Sequence, residues 1–305
     1  MRIVSFLPAA TEMVYALGLG GDLAGRSHEC AWPPEAVAKP VLSHPVLAVE
    51  RMTPEEIDRE VAARMRAGQS LYRIDTELLA RIAPDLILSQ NLCDVCAPSG
   101  NEVTEALRTL PGCPRVLYMT PSSLEGVWQN MRELGEATGT EERARAVIEA
   151  LVSRVEAVRS RAATLPSRPR VFCMEWLDPI YNAGHWMPEM VAIAGGRYDL
   201  AGAGSDSVRM EWEAVREWAP EVMILTPCGY NASQAAAQAP LVQRLPGWSD
   251  LPAVRRGAVY AVDASAYFAC PGPRLVDGTE LLAHLIHPDA FPWTGSAGAW
   301  TTIQE

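Results

Sequence analysis

The chain has 305 residues, 49% hydrophobic and 21% charged, and 37 acidic against 26 basic side chains leave a formal net charge of -11. That is a globular composition, large enough for one large or two medium domains and without a segment biased enough to argue disorder. The acidic balance supplies no basic stripe to neutralise phosphates, which excludes a nucleic-acid surface and disfavours anionic lipid, and no run of about 18 apolar residues is present to insert in a bilayer.

The opening MRIVSFLPAATEMVYALG leaves no room for a charged segment, an apolar segment and a cleavage site before the first strand. As written, the sequence is therefore expected to stay in the cytoplasm; a true start further upstream would make it periplasmic or otherwise extracytoplasmic. Seven cysteines, an odd number without dense spacing, fit a reducing compartment. Residues 2–7 alternate as a strand. Residues 9–17 continue at helical spacing from Pro8, and Gly18, Gly20 and Gly21 close that helix. A strand at 23–27 enters the loop HECAWPPEA, and Thr53 with Pro54 introduces a charged helix to residue 65. A short helix at 77–82 passes through Ala83 and Pro84 into a buried strand at 85–89, followed by the loop QNLCDVCAPSGN. A helix at 102–110, a strand at 115–119 and a helix at 122–138 complete this half. Alternating strands and helices predict a parallel sheet with covering helices, where ligands meet the loops at the carboxyl ends of the strands.

Residues 140–165 read as one long helix without Gly or Pro, with Ala144, Val147, Ile148, Leu151, Val155 and Val158 at three-and-four spacing and Pro166 as the stop. At 1.5 Å per residue a helix of roughly 25 residues is about 40 Å long, the length of a strut between two lobes. Beyond it the pattern starts again. A strand at 170–175 leads into WLDPIYNAGHW and a helix at 188–194, and EWEAVREWAPEVMILT echoes TELLARIAPDLILSQ, each with a Glu (Glu77, Glu213) ahead of an Ala-Pro pair. The expected organisation is an N-terminal α/β lobe at 1–139, a connecting helix at 140–165 and a C-terminal α/β lobe at 166–305. In class terms it is α/β, two Rossmann-like lobes with parallel sheets joined by one backbone helix.

The start RIVSFLPAATEMVYALG, the loop SHECAWPPEA, the strand APDLILSQ, the segment NAGHWMPEMVAIAGG and the closing YFACPGPR together resemble the cobalamin and iron-siderophore branch of ABC-transporter substrate-binding proteins. The likeness covers residues 2–287 and leaves PDAFPWTGSAGAWTTIQE outside. It implies a non-catalytic protein that holds a corrinoid or another metal chelate between its lobes, with no required cofactor, cobalamin or a related corrinoid as the bound ligand, and an ABC permease as partner if the protein is exported. It also implies docking of one carboxylate per lobe against the permease, at Glu102 and Glu213. The loop after the fourth strand departs from the pattern, having Leu92 and Cys93 where an aromatic is expected.

The strand-end loops supply the candidate ligand-binding residues. In the first lobe these are Pro8, His28, Glu29, Trp32, Asn91 and Cys93; in the second they are Trp176, Tyr181, Trp186, Tyr230, Tyr267 and Phe268. The set is rich in rings for a protein 7% aromatic, and broad rings suit a flat macrocycle because they supply contact area at low entropic cost. Tyr267 falls where similar proteins carry an aromatic lid. A different class of function is open through His28, Cys30, Cys93 and Cys96, whose mixed soft ligands would suit a cytosolic metalloprotein or thiol enzyme. No GxGxxG, GxSxG or Walker loop supports nucleotide or serine-hydrolase chemistry.

Overall fold

The computed structural model describes residues 1–49, 52–90, 106–108, 110 and 112–304. It divides into two compact units. The first holds Met1–Pro121 and Glu125–Glu149, and the second holds Ser122–Leu124 and Ala150–Glu305.

The first unit is built on a six-stranded sheet of β1 (Ile3–Ser5), β2 (Leu23–Ser27), β3 (Val41–Pro45), β4 (Tyr72–Ile74), β5 (Leu86–Ser89) and β6 (Arg115–Tyr118), in the order β4-β3-β2-β1-β5-β6. Five strands are parallel and β4 runs antiparallel to β3. Helices α1 (Pro8–Ala16), α2 (Pro54–Arg66), α3 (Thr76–Ile82) and α4 (Leu124–Thr138) accompany the sheet. Pro8 opens α1 where a missing N–H costs nothing, and a Thr53–Glu56 capping box opens α2. Val4, Phe6, Leu42, Leu79 and Ile87 form a core of fully buried side chains.

The second unit has β7 (Val171–Leu177), β8 (Ile180–Asn182), β9 (Val222–Leu225), β10 (Val259–Val262) and β11 (Trp300–Thr302) in the order β11-β10-β9-β7-β8. The three central strands are parallel and both edge strands antiparallel. The sheets are thus mixed rather than wholly parallel, because each antiparallel strand is a three-residue edge piece too short to carry a period-2 signal. The tail left outside the resemblance contributes β11, and β3 includes His44. In chain order between and after these strands come α5 (Glu141–Ala162), α6 (Met187–Ile193), α7 (Trp212–Trp218), α8 (Ala232–Gln238), α9 (Pro240–Gln243), α10 (Pro252–Arg255), α11 (Ala264–Tyr267) and α12 (Leu275–Ile286).

The expected long helix is α5, unbroken through 22 residues and running from the first unit into the second. Ala144, Ile148, Leu151, Val155, Val158 and Ala162 are buried along one stripe, while Arg145 pairs with Glu142 and Glu149 on the solvent side. Its second half is fastened by Arg154, which reaches Glu280 of α12 at 2.6 Å.

The repeat legible in the sequence is repeated in atomic detail. Ala83 and Ala219 end α3 and α7 in the left-handed region, at φ 45° and 49°, each before a proline and the next buried strand. Asp85 accepts from the Arg2 backbone N–H at 2.7 Å, while the Arg2 guanidinium donates to Ile82 O at 2.9 Å. Glu221 accepts from the Arg170 N–H at 3.1 Å, and the Arg170 guanidinium donates to Ala219 O at 2.9 Å. One arginine clamp therefore ties the amino ends of β1 and β5, and its twin ties those of β7 and β9.

Candidate functional site

In the second unit β7 and β9 are adjacent and in parallel register, Met174 opposite Leu225, so the residues just beyond them share one carboxyl edge. Trp176 belongs to β7 itself, not to the following loop, because the strand extends to Leu177. Its ring meets Tyr230, from the turn after β9, edge to face at 5.8 Å and 70°. The indole N–H donates to Asp178 O at 3.1 Å, and Tyr181 pairs with Trp176 across β7 and β8. Ala264 N–H donates to Tyr230 O at 3.0 Å, fastening this turn to the one after β10. There Asp263 caps α11 through the Ala266 N–H, and Tyr267 at the end of that helix packs edge-on to Trp293 at 5.9 Å. Burial raises the phenols of Tyr230 and Tyr267, which keeps both as neutral hydrogen-bond donors.

Two predicted ring residues have another position. Trp186 is 7% exposed and its indole N–H donates to Phe268 O at 2.8 Å; Phe268 itself is 3% exposed. Their faces are spent on packing at the start of α6 and behind α11. A buried indole N–H needs an acceptor, and the Phe268 carbonyl provides it. Both side chains are buried, and that hydrogen bond ties the two residues together. His185, next to Trp186, has φ 52°, donates its N–H to Ser205 O at 2.6 Å and lies 3.4 Å from Asp206 through Nε2.

One residue absent from the sequence-based candidates stands on the same edge. Glu175 precedes Trp176 in β7 and accepts from Ser207 Oγ at 2.8 Å, while Ser207 Oγ accepts from the Gly184 N–H at 3.0 Å. Burial pushes the Glu175 carboxyl up to about 7 despite the Ser207 hydrogen bond, which acts the other way. An acid inside the apolar run VFCMEWL is the signal that could have found it.

The carboxyl edge of the first unit is of different character. Below it, Ser43 Oγ donates to Ser27 Oγ at 2.9 Å, and Thr11 Oγ1 lies 2.9 Å from Ser5 Oγ and 3.0 Å from Cys30 Sγ. Above it His28 and Glu29 follow β2, with His28 Nε2 3.8 Å from Glu29. Burial lowers the His28 imidazole and pushes the Glu29 carboxyl up to about 7, although the Glu29 side chain keeps 42% of its surface in solvent. Trp32 is 48% exposed, and Pro8 is half-buried in the first turn of α1. Asn91, Cys93, Cys96 and Glu102 lie outside the described residues. Cys30 is fully buried, with Thr11 Oγ1 3.0 Å from its Sγ, and burial pushes its thiol up to about 12. Among the described residues no three His, Cys, Asp or Glu side chains gather to hold a metal ion.

The periplasmic binding protein family matches residues 3–266. The chain belongs to that family. It is a solute-binding protein and not an enzyme, and the thiol-enzyme alternative finds no support. It is 26% identical over 297 residues to an uncharacterized ABC transporter substrate-binding lipoprotein of Bacillus subtilis, covering 95% of this chain and 81% of that one. The fold is similar to a periplasmic heme-binding protein from Pseudomonas aeruginosa, with a TM-score of 0.74 at 19% identity over 100% of this chain and 98% of the other. It is also similar to the periplasmic vitamin B12-binding protein of Vibrio cholerae, with a TM-score of 0.68 at 22% identity over 96% and 98%.

Proposed function

We propose that this protein captures a flat, metal-centred macrocycle, a corrinoid or a heme, outside the cytoplasmic membrane and passes it to an ABC permease. The observation that carries the reading is the Trp176–Tyr230 ring pair on adjacent strand ends, with Tyr181 and Tyr267 on the same edge of the second unit. Rings of this kind cover a planar ligand with little loss of side-chain freedom, and their neutral phenols donate to acceptors at its rim. Names of relatives that bind vitamin B12 or heme support the ligand class. Glu213, 63% exposed in the first turn of α7 and 2.8 Å from Arg216, is the described carboxylate available for permease docking.

Purified protein mixed with cyanocobalamin or with hemin, then freed of unbound ligand, should carry the visible spectrum of one of them in a one-to-one ratio. Trp176→Ala should weaken that complex about tenfold, which corresponds to ~1.4 kcal/mol. Colourless protein in both mixtures rejects the reading. Fractionation of the source cells tests the compartment: recovery only with the cytosol rejects extracytoplasmic capture.

A further inference from the structure

Resting on the macrocycle reading, we infer that Trp293, in the C-terminal tail, is a further ligand-contact residue of the second unit's carboxyl edge, setting a ring beside Tyr267 for a flat, apolar part of the bound macrocycle. It stands outside residues 3–266, which the family matches.

The sheet register places it there. β11 runs antiparallel to β10 with Trp300 opposite Val262, the last residue of β10, and the Asp263 N–H donates to Ala299 O at 2.8 Å. The tail must therefore pass the carboxyl end of β10 before it becomes a strand, and that end is already fastened to the Tyr230 turn through Ala264. Both ends of the passage are anchored. Phe291 is buried, its carbonyl lies 2.7 Å from His284 Nδ1 and the Arg161 guanidinium lies over its ring; Ala299 is 1% exposed. Between these anchors every residue from 292 to 298 is exposed except Trp293, which is half-buried.

The ring is held in one pose. Its N–H donates to Ser296 O at 2.8 Å, and the Gly298 N–H donates to Ser296 Oγ at 3.2 Å, which closes the loop on itself. A Cβ on Gly295 would collide with the six-membered part of the indole, so the glycine lets the ring lie against the backbone. In that seat it meets Tyr267 edge to face, with centroids 5.9 Å apart and planes at 84°. Tyr267 closes α11, which the Asp263 side chain caps at the end of β10, so the pair stands on the strand end itself. A ring ordered in advance by its own loop adds contact area with little further loss of freedom on binding. With its N–H committed to Ser296, it offers carbon surface only, which suits a conjugated plane or a methyl-bearing rim rather than the ligand's amides or carboxylates.

The test uses the full chain, with hemin and cyanocobalamin titrated separately. For the probe that wild type binds, Trp293→Ala should weaken the complex about five- to tenfold. Gly295→Ala keeps the indole but drives it from its seat, and should weaken the complex about threefold. Thermal midpoints report that each variant is folded. In protein labelled with 5-fluorotryptophan, the fluorine resonance missing from Trp293→Phe should shift on saturation with cyanocobalamin, or with gallium protoporphyrin as a diamagnetic substitute for hemin; packing of the tail alone would leave it in place. Wild-type affinity in both Trp293→Ala and Gly295→Ala, or a Trp293 resonance unmoved at saturation, overturns the assignment while leaving the macrocycle reading intact. If Trp293→Ala does not fold, the Gly295→Ala titration and the fluorine spectrum decide in the same way. Failure of wild type to bind either probe removes the macrocycle reading and this inference with it.

Discussion

The two units share a frame and differ at its carboxyl edge. Each has Ala in the left-handed region before a Pro and a buried strand, and each has an arginine clamp, Arg2 with Asp85 or Arg170 with Glu221. On the first unit's edge, hydroxyls of Ser5, Thr11, Ser27 and Ser43 lie beneath His28 and Glu29. On the second, Trp176, Tyr181, Tyr230 and Tyr267 stand in the strands and turns of that edge, and one carboxyl, Glu175, precedes Trp176 in β7. The comparison teaches that the two units have in common what holds strands together at their amino ends, whereas their strand-end loops differ in chemistry.

The largest break in that comparison is expected from Trp186→Ala, which empties a buried position at the start of α6 and orphans the Phe268 carbonyl. It should cost about 3–5 kcal/mol, read from urea unfolding monitored separately in each unit. The matching cut in the hydroxyl edge, Ser43→Ala, removes one buried donor and should cost about 1–2 kcal/mol. Arg170→Met opens the second unit's clamp and should cost about 1 kcal/mol, since the Arg170 guanidinium is over a third exposed and screened by solvent; Arg2→Met should act in the same direction with a smaller effect. The clamp carboxylates are held below their usual range first by the backbone N–H of their arginine, so their stabilisation is present above the ordinary carboxyl value and disappears as pH falls through the lowered one.

Glu29 and Glu175 have the opposite sign, each raised to about 7. The folded state holds their protons longer than the unfolded chain, so this contribution is full below about 4.5 and is lost as pH rises through about 7. Glu29→Gln and Glu175→Gln should therefore melt progressively higher than wild type as pH is raised from 5 to 8. A constant offset across that range would show that neither carboxyl holds its proton longer in the folded protein than in the unfolded chain.

The alternation of strands and helices and the doubled Ala-Pro step were legible because they are periodic patterns many residues long. The helix α5 was read one residue long at its start and three at its end, since residues 140 and 163–165 share its composition. The short edge strands β4, β8 and β11 were invisible, because three residues show no alternation and pairing partners are distant in the chain. At the site, the residues after β7 and β9 were found from their rings, but burial was not. Trp186 and Phe268 look like Trp176 and Tyr230 in sequence and differ only in which way tertiary packing turns them. Glu175 was passed over because an acid at a strand end reads as solvent-facing until its neighbours are known.

β11 gives one further consequence. Through Tyr260–Thr302, Ala261–Thr301 and Val262–Trp300 it occupies the outer hydrogen-bonding row of β10, and Trp300 covers the Tyr260 ring edge-on at 5.4 Å. Without residues 288–305, that row of amides and carbonyls would be bare beside an apolar strand, a template for pairing with a neighbouring molecule. The shortened protein should keep its fold yet associate with itself as concentration rises, so the last segment acts as a guard against aggregation.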